Sequence, residues 1–261
     1  MFKLYDWIDE RKLTDGLSIN PRAIDYLEQH PEKINWSLLS ANPQAIPLLS
    51  KNQGKIDWFN LSKNTEAMHL LTQNPEKIQW VQLSANPAAI DLLMQNPDKI
   101  NTIYLSENPA ATPYLEQNPE KISWIWVSSN PKAMHLILGN LEGEEPIHWN
   151  VLCTNTSPEA IKLLEENKRK INWFCLSSNP AAIRLLEKYP EKIDWSTLSL
   201  NPAAIHLLKN NPEKINWSNL SKNPAIFEYD YKNMTQPFTE ELMSCRFHPK
   251  YIEKFESWGY E

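Results

Sequence analysis

An all-α solenoid of short helix pairs is the fold class this sequence predicts, and three observations predict it. One phrase recurs: Leu39-Ser40-Ala41-Asn42-Pro43-Gln44-Ala45-Ile46-Pro47-Leu48-Leu49 returns as Leu83-Ser84-Ala85-Asn86-Pro87-Ala88-Ala89-Ile90-Asp91-Leu92-Leu93 and as Leu198-Ser199-Leu200-Asn201-Pro202-Ala203-Ala204-Ile205-His206-Leu207-Leu208. Its period is nearly constant. The opening residues Leu17, Leu39, Leu61, Leu83, Leu105, Val127, Leu152, Leu176, Leu198 and Leu220 lie 22 residues apart for five steps, then 25, then 24, then 22 twice. Finally, Asn-Pro followed by Ala-Ile-x-Leu-Leu reads as a capped helix with one apolar face. Units of this kind cannot bury that face alone, so they stack.

Residues 1–16 supply only part of a unit, with Trp7 and Ile8, and are expected to cap the start of the stack. The tandem repeats occupy 17–226. In a typical unit the first helix is expected from about Pro87 to Gln95, ended by Asn96, which tolerates the left-handed conformation, and by Pro97, which cannot continue a helix. A second, shorter helix follows, capped by the Asn or Asp at Asn35, Asp57, Asn172, Asp194 and Asn216. At under two turns it needs its neighbours to survive in water. Units within 127–175 are irregular: an acidic stretch from Gly139 to Pro146 lengthens one junction, and Thr156-Ser157 is inserted before Pro158. Residues 227–261 abandon the pattern and are expected to form a helical cap, with Tyr251, Ile252, Phe255 and Trp258 on one face. Nine layers at ordinary helix spacing suggest a gently superhelical stack roughly 80–100 Å long. A leucine-rich solenoid would also suit a 22-residue period, but Pro after nearly every Asn favours helix.

Composition narrows the function. A 41% hydrophobic chain of 261 residues has ample material for a continuous core. No apolar run approaches the ~20 residues that cross a bilayer, and the N-terminal residues lack a signal-peptide layout, so an intracellular, non-transmembrane protein is expected. Cys153, Cys175 and Cys245 have no metal-like spacing and read as structural thiols. A net charge of -6 disfavours a general phosphate-binding groove, and the recurrent Glu-Lys pair largely cancels itself.

Two columns of the repeat invite a functional reading. Trp36, Trp58, Trp80, Trp124, Trp149, Trp173, Trp195 and Trp217 recur at one position, with Thr102 the gap, beside which Ile103 or Tyr104 is a candidate to compensate. Apolar neighbours at core spacing make these Trp residues structural packing between units, not a ladder for stacking bases. The second column lies on the first helix and holds Asp25, Pro47, His69, Asp91, Pro113, His135, Lys162, Arg184 and His206. Its histidines are three units apart, ~25–30 Å at packed-helix spacing, so they cannot share a metal ion. A column that varies so freely is exposed. Asp25, His69, Asp91, His135, Lys162, Arg184 and His206 are therefore the candidate partner-binding surface. No catalytic triad, metal set or phosphate-cradling glycine loop is present, which leaves no cofactor or enzymatic role to expect.

The unit Leu-Ser-x-Asn-Pro-x-Ala-Ile-x-Leu-Leu followed by Asn-Pro-Glu-Lys-Ile-x-Trp resembles the tandem repeats of proteins from nucleocytoplasmic large DNA viruses. The stretch from Glu240 to Met243, with Phe247-His248-Pro249-Lys250 and Trp258-Gly259, resembles the segment that often closes such arrays. The resemblance implies a viral protein acting in the host cytoplasm or the virion, and it implies no activity. The functional expectation is a non-enzymatic scaffold that binds a host or viral protein through its variable columns. Single-stranded nucleic-acid binding by helical repeats, or a structural place in the virion, is the alternative.

Overall fold

Local chemistry builds each unit in the same order. The computed structural model describes residues 2–140 and 147–230. In the unit around Asn86, a short α-helix Trp80–Ser84 is followed by a single 3-10 turn Pro87–Ala89, a second α-helix Ile90–Met94 and another 3-10 turn Pro97–Lys99. In five units the Trp helix starts where an Asn or Asp side chain accepts backbone N–H groups inside its first turn, as Asn35, Asp57, Asn172, Asp194 and Asn216 all do, whereas Gln79, Ser123 and His148 precede their Trp helices without a side-chain cap. Pro87 occupies the first position of its turn, where the missing N–H is harmless. The insertion Thr156-Ser157 changes this pattern: Ser157 caps one continuous α-helix, Pro158–Glu166, in place of the usual 3-10 turn and short helix.

Between the two helices lies the core. Leu83, Ala89 and Leu93 are completely buried, as are their equivalents Leu61, Ala67 and Leu71 and, further on, Leu176, Ala182 and Leu186. The second helix ends without positive φ: Asn96 has φ −132° and ψ 61°, and its Nδ2 donates to the carbonyl of Leu92 at 2.9 Å. The carboxamide, not a left-handed backbone, closes that helix, and Asn52, Asn74, Asn118, Asn167 and Asn211 repeat the bond.

The buried Asn of each unit joins it to the one before. Nδ2 of Asn86 donates to the carbonyls of Ser62 (3.1 Å) and Asn64 (3.0 Å), while its Oδ1 accepts from Ala88 N–H at 3.0 Å. Both N–H groups of the carboxamide are thus used across the seam, and its oxygen is used within the turn. Ser supplies a second tie: Ser84 Oγ donates to Trp80 O and accepts from the N–H of Asn101 in the next unit. Among the described residues, no buried side-chain nitrogen or oxygen lacks a partner.

These seams run all the way round. Asn42 bonds to Ser18 and Asn20, and so on through Asn223, which bonds to Ser199 and Asn201. Asn20, in the first unit, then donates to Ser221 O (3.1 Å) and Asn223 O (2.9 Å) in the last. The Ser tie closes as well, with Thr14 N–H donating to Ser221 Oγ at 2.9 Å. The helix Trp217–Ser221 packs on the 3-10 helix Asp15–Ile19, which packs in turn on Trp36–Ser40. The solenoid is therefore a closed ring. Strand β1 (Phe2–Leu4) pairs antiparallel with β2 (Phe227–Tyr229), Phe2 opposite Tyr229.

Closure corrects the expected shape. A stack of roughly 80–100 Å becomes the circumference of a ring roughly 25–32 Å in mean diameter. The N-terminal segment and the start of the C-terminal one do not shield two separate end faces from water; they cover each other. Residues 227–229 are strand and not helix, because their backbone groups are taken up by β1. The helical cap expected further on, including Tyr251, Ile252, Phe255 and Trp258, lies outside the described residues.

Candidate binding surface

The variable column is exposed at His69, Asp91, His135, Lys162, Arg184 and His206. Asp25 differs: it is half-buried, and its Oδ2 accepts the N–H of Phe2 at 3.2 Å, so the closing strand occupies it. Two histidines are held by the preceding unit, His135 Nε2 standing 2.7 Å from Glu116 Oε1 and His206 Nε2 2.8 Å from Glu187 Oε1. Each pair is solvent-exposed, and such pairs contribute little to stability. The structure does not bring the column's histidines together, and among the described residues no three His, Cys, Asp or Glu side chains are grouped as a metal site requires.

Every Trp of the recurrent column is half-buried against the core. In four of them a lysine from the next unit lies over the ring: Lys55 is 4.4 Å from the centroid of Trp36, Lys77 4.6 Å from Trp58, Lys99 4.4 Å from Trp80 and Lys214 4.3 Å from Trp195. Lys12 completes the series across the closing seam, 4.9 Å from Trp217. These rings are packing and cation–π partners, and their faces are occupied. At the gap, Ile103 does not replace the missing ring, since it is 46% exposed.

That exposure belongs to a row that the sequence reading missed. The residue after the Trp position is Phe59, Val81, Ile103 and Ile125 in four consecutive units, exposed by 54%, 44%, 46% and 42%. Trp126 (40% exposed) extends the row and stacks on Tyr104 with centroids 6.5 Å apart. Elsewhere in the ring the same position is mostly polar and bonded to the next unit's cap: Ser37 Oγ donates to Asp57, Asn150 Oδ1 accepts from Asn172, and Ser196 Oγ accepts from Asn216. Phe174, 59% exposed, is an isolated exception. The Trp helices Trp36–Ser40, Trp58–Lys63, Trp80–Ser84, Thr102–Glu107 and Trp124–Val127 pack side by side, which makes the four apolar residues one continuous stripe. Reading this column by itself would have found the signal, a switch from polar to apolar confined to neighbouring units.

The cysteines fit the frame. Cys153 takes the place of the recurrent Ser, is fully buried, and accepts Asn172 N–H at 3.4 Å. Burial pushes its thiol from an ordinary value of 9.0 up to about 11, which keeps it protonated and unreactive near neutrality. Cys245 lies outside the described residues. Among those that are described, no helix is long and apolar enough to cross a membrane. Comparison with known proteins adds no relative: no family model matches this chain, and neither the curated proteins nor the solved structures contain a match to it.

Proposed function

We propose that this ring is a non-enzymatic scaffold that binds a protein partner. The observation that carries the reading is the stripe of Phe59, Val81, Ile103 and Ile125, four large apolar side chains left in water by a fold that satisfies every buried polar side chain described. A contiguous exposed apolar patch on an otherwise well-packed protein is the usual mark of a docking surface. The exposed members of the variable column supply a second, polar set of contacts suited to specificity at an interface rim. The resemblance to large DNA virus repeats implies that the partner is a host or viral protein.

Affinity capture with five forms of the chain tests this. A protein retained by the wild type and by Ser218→Ala, a control at the polar residue after Trp217 outside both surfaces, should be lost when Phe59→Ser and Ile103→Ser are combined, and weakened by His135→Ala or Arg184→Ala. An unchanged set of captured proteins across all variants, each shown to be folded by circular dichroism, would refute the role of both surfaces.

A further inference from the structure

The apolar stripe belongs to a larger surface that carries almost no charge. The residue after the Trp position is exposed in all ten units, and of the twenty residues at this position and the next only Asp15 is charged, its Oδ2 held by Asn35 Nδ2 at 2.8 Å. A chain with 22% charged residues would place about four there, and more on a surface in water. Polar members bond within the ring: Asn60 Nδ2 donates to Ser37 O at 3.1 Å, Thr197 Oγ1 to Phe174 O at 2.8 Å and Asn219 Nδ2 to Ser196 O at 2.9 Å. The flanking carboxylates Asp57 and Asp194 accept N–H groups of the helices they cap.

Packing places this surface on one side of the ring. Trp helices touch from unit to unit, and so do the turns Pro87–Ala89 and Pro109–Ala111, whereas second helices reach each other through long side chains, Lys188 to Glu165 at 2.9 Å and His135 to Glu116 at 2.7 Å. The Trp helices therefore lie on the smaller radius. A ring of roughly 25–32 Å mean diameter built from helices roughly 10 Å thick has no lumen wide enough to leave Phe59 54% exposed. The uncharged residues consequently look out from the side of the ring, along its curve.

We propose that this side of the ring takes a second copy of the chain, two rings meeting about a twofold axis that passes between Val81 and Ile103. This rests on the reading of the stripe as a protein-binding surface and names the protein. Two copies of net charge −6 repel one another, and they meet at least cost where neither presents charge. Curvature selects the same partner. A twofold axis lays the arc of four units on its own reversal, so Phe59 meets Ile125 of the other copy, Val81 meets Ile103, and Ser37 beyond them meets Asn150. Asp15, the one charge, then faces Phe174 and no second carboxylate. A ring side of this size offers on the order of 800 Å² per copy, about what each partner of a standard interface buries.

Sedimentation velocity of the full chain from about 1 to 100 μM should show a species of twice the 30.4 kDa chain mass. Phe59→Ser with Ile103→Ser should weaken dimerisation at least about tenfold. Ile103→Glu alone and Val81→Lys alone should each leave a monomer, folded by circular dichroism, because each brings an unpaired charge into the interface. Mixed in equal amounts, these two variants should recover the dimer, since the new carboxylate and ammonium then face each other across the twofold axis. A benzophenone carried at position 103 should crosslink between copies near position 81. Crosslinking to residues 231–261 of its own chain instead overturns the proposal, as does a dimer that survives Ile103→Glu or one that mixing does not restore. A wild type that stays monomeric over the whole range overturns the second copy. If the stripe variants still lose a captured protein in that case, the stripe stands as a surface for a different partner.

Discussion

The seam between the last unit and the first can be set beside any seam within the chain, such as that between the units of Asn64 and Asn86. Both are held by an Asn carboxamide donating to two carbonyls and by an N–H donated to a Ser hydroxyl. Only the internal seam is also covalent. The closing seam has compensations that internal seams lack: β1 on β2, Arg22 Nη1 donating to Phe227 O at 3.1 Å, and Phe2 against Tyr229 with centroids 4.9 Å apart. Bringing distant ends of a chain together costs loop-closure entropy that an internal junction does not face, and the extra contacts offset it. Closure is thus the recurrent column chemistry with a local reinforcement.

The sharpest way to break this comparison is to reverse the chemistry of the shared Asn. In Asn86→Asp or Asn20→Asp a carboxylate replaces the donor that faces two buried carbonyls, at a cost of about 3–5 kcal/mol. For Asn86→Asp the loss should appear in the urea midpoint of the whole protein. Asn20→Asp should open the ring first, raising the radius of gyration in small-angle scattering before helical signal is lost. A single transition for both variants would show that the closing seam is no weaker than the rest.

Phe227→Ala comes next, because Phe227 is the largest fully buried side chain among the described residues and lies in the reinforcement. It should cost about 3 kcal/mol and act on closure alone, visible as faster hydrogen exchange at Leu4 and Tyr5 with little change at Leu93. Trp80→Ala acts on an internal seam. Its ring is only half-buried, so the expected cost is about 2–3 kcal/mol, below that of a fully buried aromatic, and calorimetry measures it.

The smallest effect is expected in the irregular part of the ring, at Cys153. Restoring the recurrent residue with Cys153→Ser should change stability by less than about 1 kcal/mol at neutral pH. Alkaline behaviour distinguishes the two. The folded thiol is raised to about 11 from 9.0, so its contribution is complete below pH 9.0 and falls away as pH rises toward about 11, where only the unfolded chain ionises readily at first. Urea titrations of wild type and Cys153→Ser should agree near pH 8 and separate near pH 10, the Ser variant being the less sensitive. Iodoacetamide should leave Cys153 unmodified in the folded ring at neutral pH.

Of the candidate surface, the polar column was legible because His69, Asp91, Lys162 and Arg184 interrupt an apolar helix at a position where no core residue could be charged. Asp25 shares that position, yet the N-terminal strand β1 reaches it through the N–H of Phe2. Phe59, Val81, Ile103 and Ile125 show only when their column is compared from unit to unit, because each taken singly reads as core. Their residue types look like core, and only the packing of each Trp helix, with Leu and Trp turned inward, leaves the next residue in water.

The sequence by itself determined the core of the unit: the short Trp helix, the Asn-Pro turn that opens the second helix, which Leu and Ala face inward, and where an insertion changes a junction, although the stretch expected as one helix from Pro87 is a 3-10 turn before the α-helix Ile90–Met94. These are local matters, decided within about one turn by capping hydrogen bonds and the 3.6-residue period. Tertiary structure alone decided that the units form a ring. Ten units close when each turns by about 36° relative to the last, an angle set by small differences in packing between layers and summed around the chain. No single repeat records that sum, and so the repeat fixes the seam while the closed circle emerges only from all the seams together.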